Sequence, residues 1–293
     1  MVRKRKVDSN NYYYLEHSVR FGNKVEKRER YLGKTVPDNI DEIEFQFMTG
    51  IFAERWFRDL NQIKAGYEAR MKESPPSVHR KDMELFSVRF TYNTNRIEGS
   101  RLTLRDTSLL LEKGITPKSR PSSDVKEAEA HRDAFFEMLG YRNSLSIETI
   151  LHFHRKLFES TDQDVAGALR RVQVGISGSR FTPPLAIEVQ SMLSEFIRWY
   201  RKNKDVIHPV QLAALVHLKL VTIHPFADGN GRISRLMMNL VLHQKGFPML
   251  DIPYENRSSY YNALERSQVK SDDYIFLQWF FRRYVMENGK YLK

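Results

Sequence analysis

Cysteine is absent from the 293 residues of the chain, which excludes disulfides and thiolate metal sites. No apolar run reaches the roughly 20 residues a membrane span needs. The opening Met1-Val2-Arg3-Lys4-Arg5-Lys6 lacks the apolar segment of a signal peptide. A cytoplasmic protein without a membrane partner is therefore the expectation. Repeats and low-complexity tracts are missing too. Acidic residues are in short supply: 47 Lys and Arg face 36 Asp and Glu, a formal charge of +11 and a pI near 9.6. That excess raises nucleic acid as a partner. The basic residues scatter over 3–6, 24–30, 198–204 and 282–283 without a compact recognition helix. A nucleic-acid-binding regulatory protein using its basic surface thus stays open as the alternative reading.

What is present is mostly helical periodicity. Apolar positions three and four apart predict helices over about 40–72, 81–98, 104–113, 124–139, 146–159, 185–203, 209–223, 230–245, 257–268 and 272–287. The stretches Ser74-Pro75-Pro76-Ser77 and Thr116-Pro117-Lys118-Ser119-Arg120-Pro121 mark loops between them. Ahead of the helices, rough alternation over 12–20 and 24–31, flanking Phe21-Gly22-Asn23, predicts an N-terminal β-hairpin. The length suits one large core plus an appendage. The expected division is an N-terminal region of residues 1–110 and a core of residues 111–293.

Two apolar helices frame the chemistry. Residues 210–223 are apolar on nearly every face, the mark of a central helix, while Ile233, Leu236, Met237, Leu240 and Val241 form one inward stripe. The polar groups between them are confined to His224-Pro225-Phe226-Ala227-Asp228-Gly229-Asn230-Gly231-Arg232-Ile233-Ser234-Arg235. Asn-Gly also signals tight hairpins, but neither flank alternates like a strand. Gly229-Asn230-Gly231 instead turns backbone N–H groups toward the positive end of a following helix, a phosphate-binding geometry. Arg232 and Arg235 near that end are unfavourable unless an anion lies against them. Asp228 would repel the anion unless a divalent cation such as Mg²⁺ lies between carboxylate and phosphates. His224 closes the buried helix beside this site, where a neutral imidazole can take a proton from an attacking hydroxyl. His217, seven positions earlier on the same face, reads as a core histidine.

The segment resembles the motif of the Fic family, H-x-F-x-[DE]-G-N-G-R-x-x-R, at every specified position. The similarity extends to Gly246-Phe247-Pro248 and Tyr260-Tyr261 downstream, covering roughly residues 80–280. The resemblance implies a mainly α fold with a helical core, and a protein adenylyltransferase that moves AMP from ATP, with Mg²⁺, to a hydroxyl of a target protein. It further implies that His224 is the general base and that Asp228 holds the metal. Gly229, Asn230, Gly231 and Arg232 would cradle the phosphates, and Arg235 would contact the γ-phosphate. Relatives that transfer phosphoryl or phosphocholine groups stay as alternatives. Self-modification and a homodimer are further expectations of the family. The winged helix that often follows the motif in the family is not expected within the roughly sixty residues after it here.

Two more segments resemble family elements. Thr94-Asn95-Arg96-Ile97-Glu98-Gly99 is similar to the inhibitory motif [ST]-x-x-x-E-[GN]. Glu98 stands at the negative end of its helix, where a carboxylate needs a compensating cation, and Gly99 suits the following left-handed position. By resemblance that cation is Arg235, so the enzyme is expected to be autoinhibited from an N-terminal helix, with removal of AMP from the target as a second activity. Gly167-Ala168-Leu169-Arg170, Val174-Gly175-Ile176 and Phe181-Thr182-Pro183-Pro184 look like the family's target-docking flap. Val172, Val174 and Ile176 alternate with polar or small residues, so a β-hairpin with a free edge is predicted, on which a target strand could pair. Arg170 and Arg171 border the cleft without an assigned role.

Overall fold

Apolar residues three and four apart run through most of the chain, and the computed structural model, which describes residues 2–21 and 24–292, turns them into helices. Two compact units result, Met1–Gln62 and Ile63–Lys293.

The first unit opens with an antiparallel sheet in the order β1 (Val2–Val7), β2 (Asn10–Phe21), β3 (Lys24–Gly33). The predicted hairpin is β2 with β3, and its expected turn at Gly22-Asn23 lies outside the described residues. Strand β1 is an addition, paired from Val2 opposite Leu15 to Val7 opposite Asn10. Its density of charge hid it, because ion pairs and a ring contact hold it: Arg5 pairs with Glu16 and Glu29 and lies 4.3 Å from the centroid of the Tyr14 ring. Leu15 and Val19 are buried, and α1 (Ile40–Phe52) packs on β2 with Met48, Ile51 and Phe52 buried. The single helix predicted over 40–72 is α1 and α2 (Arg58–Glu73), joined by a π-helical turn at Ala53–Phe57.

The second unit is helical: α3 (Pro76–Ile97), α4 (Leu104–Lys113), α5 (Ser122–Gly140), α6 (Ile147–Phe158), α7 (Val189–Asn203), α8 (Pro209–Ile223), α9 (Asn230–Gln244), α10 (Arg257–Lys270) and α11 (Asp273–Asn288). Local signals set the ends. Thr103 and Asp106 form a reciprocal capping box at α4, whose far end closes on Gly114 in the left-handed region. Pro209 opens α8 at its first position, where the missing N–H has no partner to lose. Helix α8 is central, as its all-round apolar character demands, and packs against α7, α9 and α11. Helices α3, α5 and α6 cover other faces of α9. The α8–α9 link therefore emerges from the middle of the core.

The flap is not the predicted hairpin. Residues 170–184 form no regular secondary structure, with a turn closed by Ser179 N–H on the Ile176 carbonyl, and no strand ladder joins the two legs. Pro183 and Pro184 carry no N–H to donate. Side chains bridge the legs instead: the Gln173 amide donates to the Pro183 carbonyl at 3.0 Å, and Arg170 donates to the carbonyls of Val172 and Pro184 at 3.3 and 2.6 Å.

Helix α2 supplies a test of packing against propensity. Alanine is favoured over glycine in a helix by about 1 kcal/mol. A Cβ at Gly66, however, would stand 2.2 Å from the Tyr291 carbonyl oxygen. Backbone yields less readily than a side chain, so Gly66→Ala is expected to lower the thermal midpoint in calorimetry. A raised midpoint would show that the 289–291 turn moves aside freely.

Candidate active site

Helix α8 ends at His224 in a left-handed conformation, φ 52° and ψ 58°. For a residue with a Cβ this costs roughly 1 to 2 kcal/mol and needs outside support. Arg170, only 5% exposed, provides it. Its Nε donates to the His224 carbonyl at 2.7 Å and its backbone N–H to the Pro225 carbonyl at 3.0 Å. The same guanidinium ties the flap legs, so one buried arginine links the flap to the histidine. The His224 ring has its Nδ1 at 3.2 Å from the Val221 carbonyl. A carbonyl only accepts, so Nδ1 carries the proton and Nε2 keeps its lone pair. Burial, helped by Arg170, holds the imidazole pKa below its usual 6.5 despite the Val221 contact, so the ring is neutral at pH 7.

Beyond His224 the loop is tightly riveted. The Asn230 side chain, buried, accepts from Phe226 N–H and donates to the Phe226 carbonyl, both at 2.9 Å. Its amide is thus committed to loop shape, which leaves only its backbone for an anion. Gly229 takes φ 78°, and a Cβ there would lie 2.3 Å from the Phe158 ring. Glycine is needed for both conformation and approach. Helix α9 then starts at Asn230, placing Arg232 in the first turn and Arg235 in the second.

Both arginines are almost fully buried and both hold carboxylates. Arg232 donates to Glu127 at 2.7 Å and to Asp228 at 2.9 Å, and lies 4.5 Å from the Phe158 ring centroid. The Asp228 side chain is 65% exposed. Arg235, 1% exposed, donates to Glu98 at 2.5 Å, to the Thr94 carbonyl at 3.3 Å and to the Tyr260 hydroxyl at 3.2 Å. Thr94 Oγ1 adds a longer contact at 3.4 Å. Burial works against the Arg235 charge, and Tyr260 and Glu98 more than compensate, leaving its pKa above the ordinary value. Glu98 follows the last residue of α3, and Gly99 takes φ 104° behind it. The carboxylate also faces α9, since a Cβ on Gly231 would meet Glu98 Oε1 at 2.2 Å. His224, Gly231, Arg235, Glu98 and the flap residue Ile176 line one cleft of about 270 Å³. Val174, Gly175 and Phe181 of the flap do not line it.

This arrangement matches known proteins. Residues 144–242 fit the profile of the Fic/DOC family. A Fic domain-containing signaling protein from Bacteroides thetaiotaomicron superposes with a TM-score of 0.72 at 26% identity, over 80% of this chain and 96% of that one. The chain carries a Fic domain. Protein adenylyltransferase fic-1 of Caenorhabditis elegans is 35% identical over 182 residues, 60% of this chain and 35% of the relative. Protein adenylyltransferase Fic of Drosophila ananassae is 34% identical over 222 residues, 72% of this chain and 43% of the relative. The chain thus spans less than half the length of these curated relatives.

Three residues of the Fic domain site escaped sequence reasoning. His154 of α6 is sandwiched between Phe226 at 3.6 Å and Phe158 at 4.7 Å. Its Nδ1 accepts from Gly167 N–H at 3.0 Å and its Nε2 donates to the Asp228 carbonyl at 3.0 Å, so it braces the loop from below. Burial lowers its pKa to about 4, which keeps it neutral in that role. Glu127 belongs to α5, where burial raises its carboxyl pKa against the pull of Arg232. Tyr260, seen only as part of a pattern, joins Arg235 to His217, whose Nε2 lies 2.9 Å from its hydroxyl. Nothing local in the sequence marks His154 or Glu127, each an ordinary member of an amphipathic helix. His217 is the core histidine its apolar face predicts.

Asn230→Ala strips two buried backbone groups of their partners, each costing about 1 to 3 kcal/mol. At roughly 2 to 4 °C per kcal/mol for a domain of this size, the melting midpoint should fall by several degrees. An unchanged midpoint would show that the loop holds its shape without the amide.

Proposed function

We propose that the chain is a protein adenylyltransferase that moves AMP from ATP to a hydroxyl side chain of a protein, and that Glu98 restrains it. The observation that carries this reading is the Glu98 carboxylate lodged against Gly231 and Arg235 at the amino end of α9, beside His224. A helix start with a buried arginine is a phosphate site, and a carboxylate is the side chain that imitates its occupant. The curated relatives named above are called protein adenylyltransferases. Helix α3 precedes the motif in the same chain, so the proposed brake would be part of the chain itself.

The steps follow from the side chains. The triphosphate takes the backbone donors of Asn230 and Gly231, and that of Gly229 once it leaves Asp228 Oδ1, to which it donates at 2.5 Å, with Arg232 beside them and Arg235 turned from Glu98 toward the γ-phosphate. The target hydroxyl loses its proton to Nε2 of His224 as its oxygen attacks the α-phosphorus. Pyrophosphate departs, and AMP stays on the target oxygen. The donor set fits Mg²⁺: Asp228 is one exposed carboxylate beside a phosphate site, matching a metal held by one or two carboxylates with phosphate oxygens and water. Such an ion would neutralise charge on the phosphates. Ile176 and the flap would seat the target segment above His224. With Glu98 in the same cleft as His224, water delivered to an AMP-modified target would release AMP, a second activity of the site.

A charge-assisted hydrogen bond contributes roughly 1.5 to 3 kcal/mol, on the order of tenfold to a hundredfold in affinity. Glu98→Gly should therefore tighten Mg-ATP binding by about that factor and raise transfer of labelled AMP, whereas His224→Ala should abolish transfer and preserve binding. Equal activity of wild type and Glu98→Gly would remove the brake, and full transfer by His224→Ala would remove the base.

The lowered pKa of His224 fixes the sign of the pH dependence. A base titrating below 6.5 stays deprotonated further into acid. The acid limb of kcat/KM for the Glu98→Gly variant should accordingly lie below pH 6.5. Loss of the Glu98 charge, which raises the His224 pKa, moves it in the same direction. A limb above that value would contradict the assignment.

A further inference from the structure

A second cavity, of about 190 Å³, lies away from the catalytic cleft, between α3, the stretch after α9 and the last turns of the chain. Its charges are nearly all answered. Arg70 donates to Asp82 at 2.7 Å, Arg283 to Glu287 at 3.1 Å, and Arg89 stands 3.6 Å from Asp251. Three polar groups are left. Asp251 is 3% exposed: its Oδ2 accepts from Asn93 at 2.7 Å, but Oδ1 has no protein partner. Asn288 is 5% exposed and its Nδ2 has none either. Lys290 forms no ion pair among the described residues, and its ammonium lies 5.0 Å from the Tyr291 ring centroid.

Burial of an under-partnered polar atom is unfavourable by about 1 to 3 kcal/mol, more for a charge. Two residues that carry such atoms line one cavity, which points to a complementary molecule there. Burial raises the Asp251 carboxyl to about 6, with Asn93 and Arg89 opposing, so it is ionised above neutral pH and prefers a cationic donor. Asn288 and Lys290 prefer an acceptor, ideally anionic. The lining balances three cations, Arg70, Arg89 and Lys290, against three acids, Asp82, Asp251 and Glu287. A bare anion gains little from that balance, whereas a molecule bearing both charges meets both needs. Met71, Met83 and Phe86 add an apolar wall. A cavity of about 150 Å³ accommodates benzene, so this one suits a ligand somewhat larger.

We infer that this cavity binds a free α-amino acid with an apolar side chain, its ammonium on Asp251, its carboxylate on Asn288 and Lys290, and its side chain against Met71, Met83 and Phe86. Helix α3 forms one wall through Asp82, Phe86 and Arg89, grips Asp251 through Asn93, and leads directly to Glu98. Occupancy is thereby placed to bias the Glu98–Arg235 pair, a consequence that rests on the function proposed above, whereas binding itself does not.

Titration calorimetry of the full chain at pH 7.5 with leucine, methionine and phenylalanine, each alone, tests the site, with acetate and inorganic phosphate as anion-only probes. At least one amino acid should bind, and Asp251→Asn and Lys290→Ala should each weaken it by about tenfold or more, the loss of one charge-assisted contact. Lys290→Ala alters a less buried position and serves should Asp251→Asn misfold. Absence of binding by all three amino acids, equal binding of acetate or phosphate, or affinity unmoved by Lys290→Ala would overturn the inference. The bound amino acid at saturation should shift Mg-ATP affinity in wild type and leave it unchanged in Glu98→Gly. Binding without that shift keeps the site and removes the coupling.

Discussion

A guanidinium buried to 1% exposure near the start of a helix must have an anion against it, and Arg235 is that group. Besides Glu98, the core around it offers the neutral Thr94 carbonyl and hydroxyl and the Tyr260 hydroxyl, none of which carries a charge. Glu98 meets the requirement because α3 stops at the right place and Gly99 turns the chain away behind it. A triphosphate would meet the same requirement. On the proposed function, the carboxylate and the triphosphate would compete for this one buried cation, with the Glu98–Arg235 pair as the contact to be exchanged. Removing a partner from such a pair is more disruptive than the pair is stabilising, because the remaining charge cannot be solvated. That asymmetry favours exchange of anions over simple opening.

The imidazole depends on a comparable economy of contacts. His224 terminates a wholly buried helix in a backbone conformation unsuited to its Cβ, and Arg170 holds both that carbonyl and the flap. Imidazole and flap therefore share one fastening, Arg170. From beneath, His154 fixes the Asp228 carbonyl, and the Asn230 amide closes the loop on Phe226. Three buried polar side chains, Arg170, His154 and Asn230, thus define the loop, while the exposed Asp228 carboxylate holds Arg232 and the Gly229 N–H.

Much of this was legible in the residues. Period 3.6 identified the helices, since that signal is a local consequence of which face is buried, and α8 was recognisable as central from its lack of a polar face. The motif 224–235 was legible as a family signature because histidine, carboxylate, glycines and arginines lie within twelve consecutive residues. The failures were equally physical. Strand β1 carries charges that are held by partners on neighbouring strands, and the flap could not form a ladder once two prolines removed its donors.

The sequence by itself therefore determined the helical class, the loop between α8 and α9, and the types of group available at the site, because each depends on neighbours a few residues apart. Only the tertiary structure decided that Glu98 lies 2.5 Å from Arg235 across 137 positions, that Glu127 shares Arg232 with Asp228, and that Asp251 and Asn288 line one cavity. Those pairings bring together residues far apart along the chain, and packing of the helices, not any local pattern, selects which distant side chains meet.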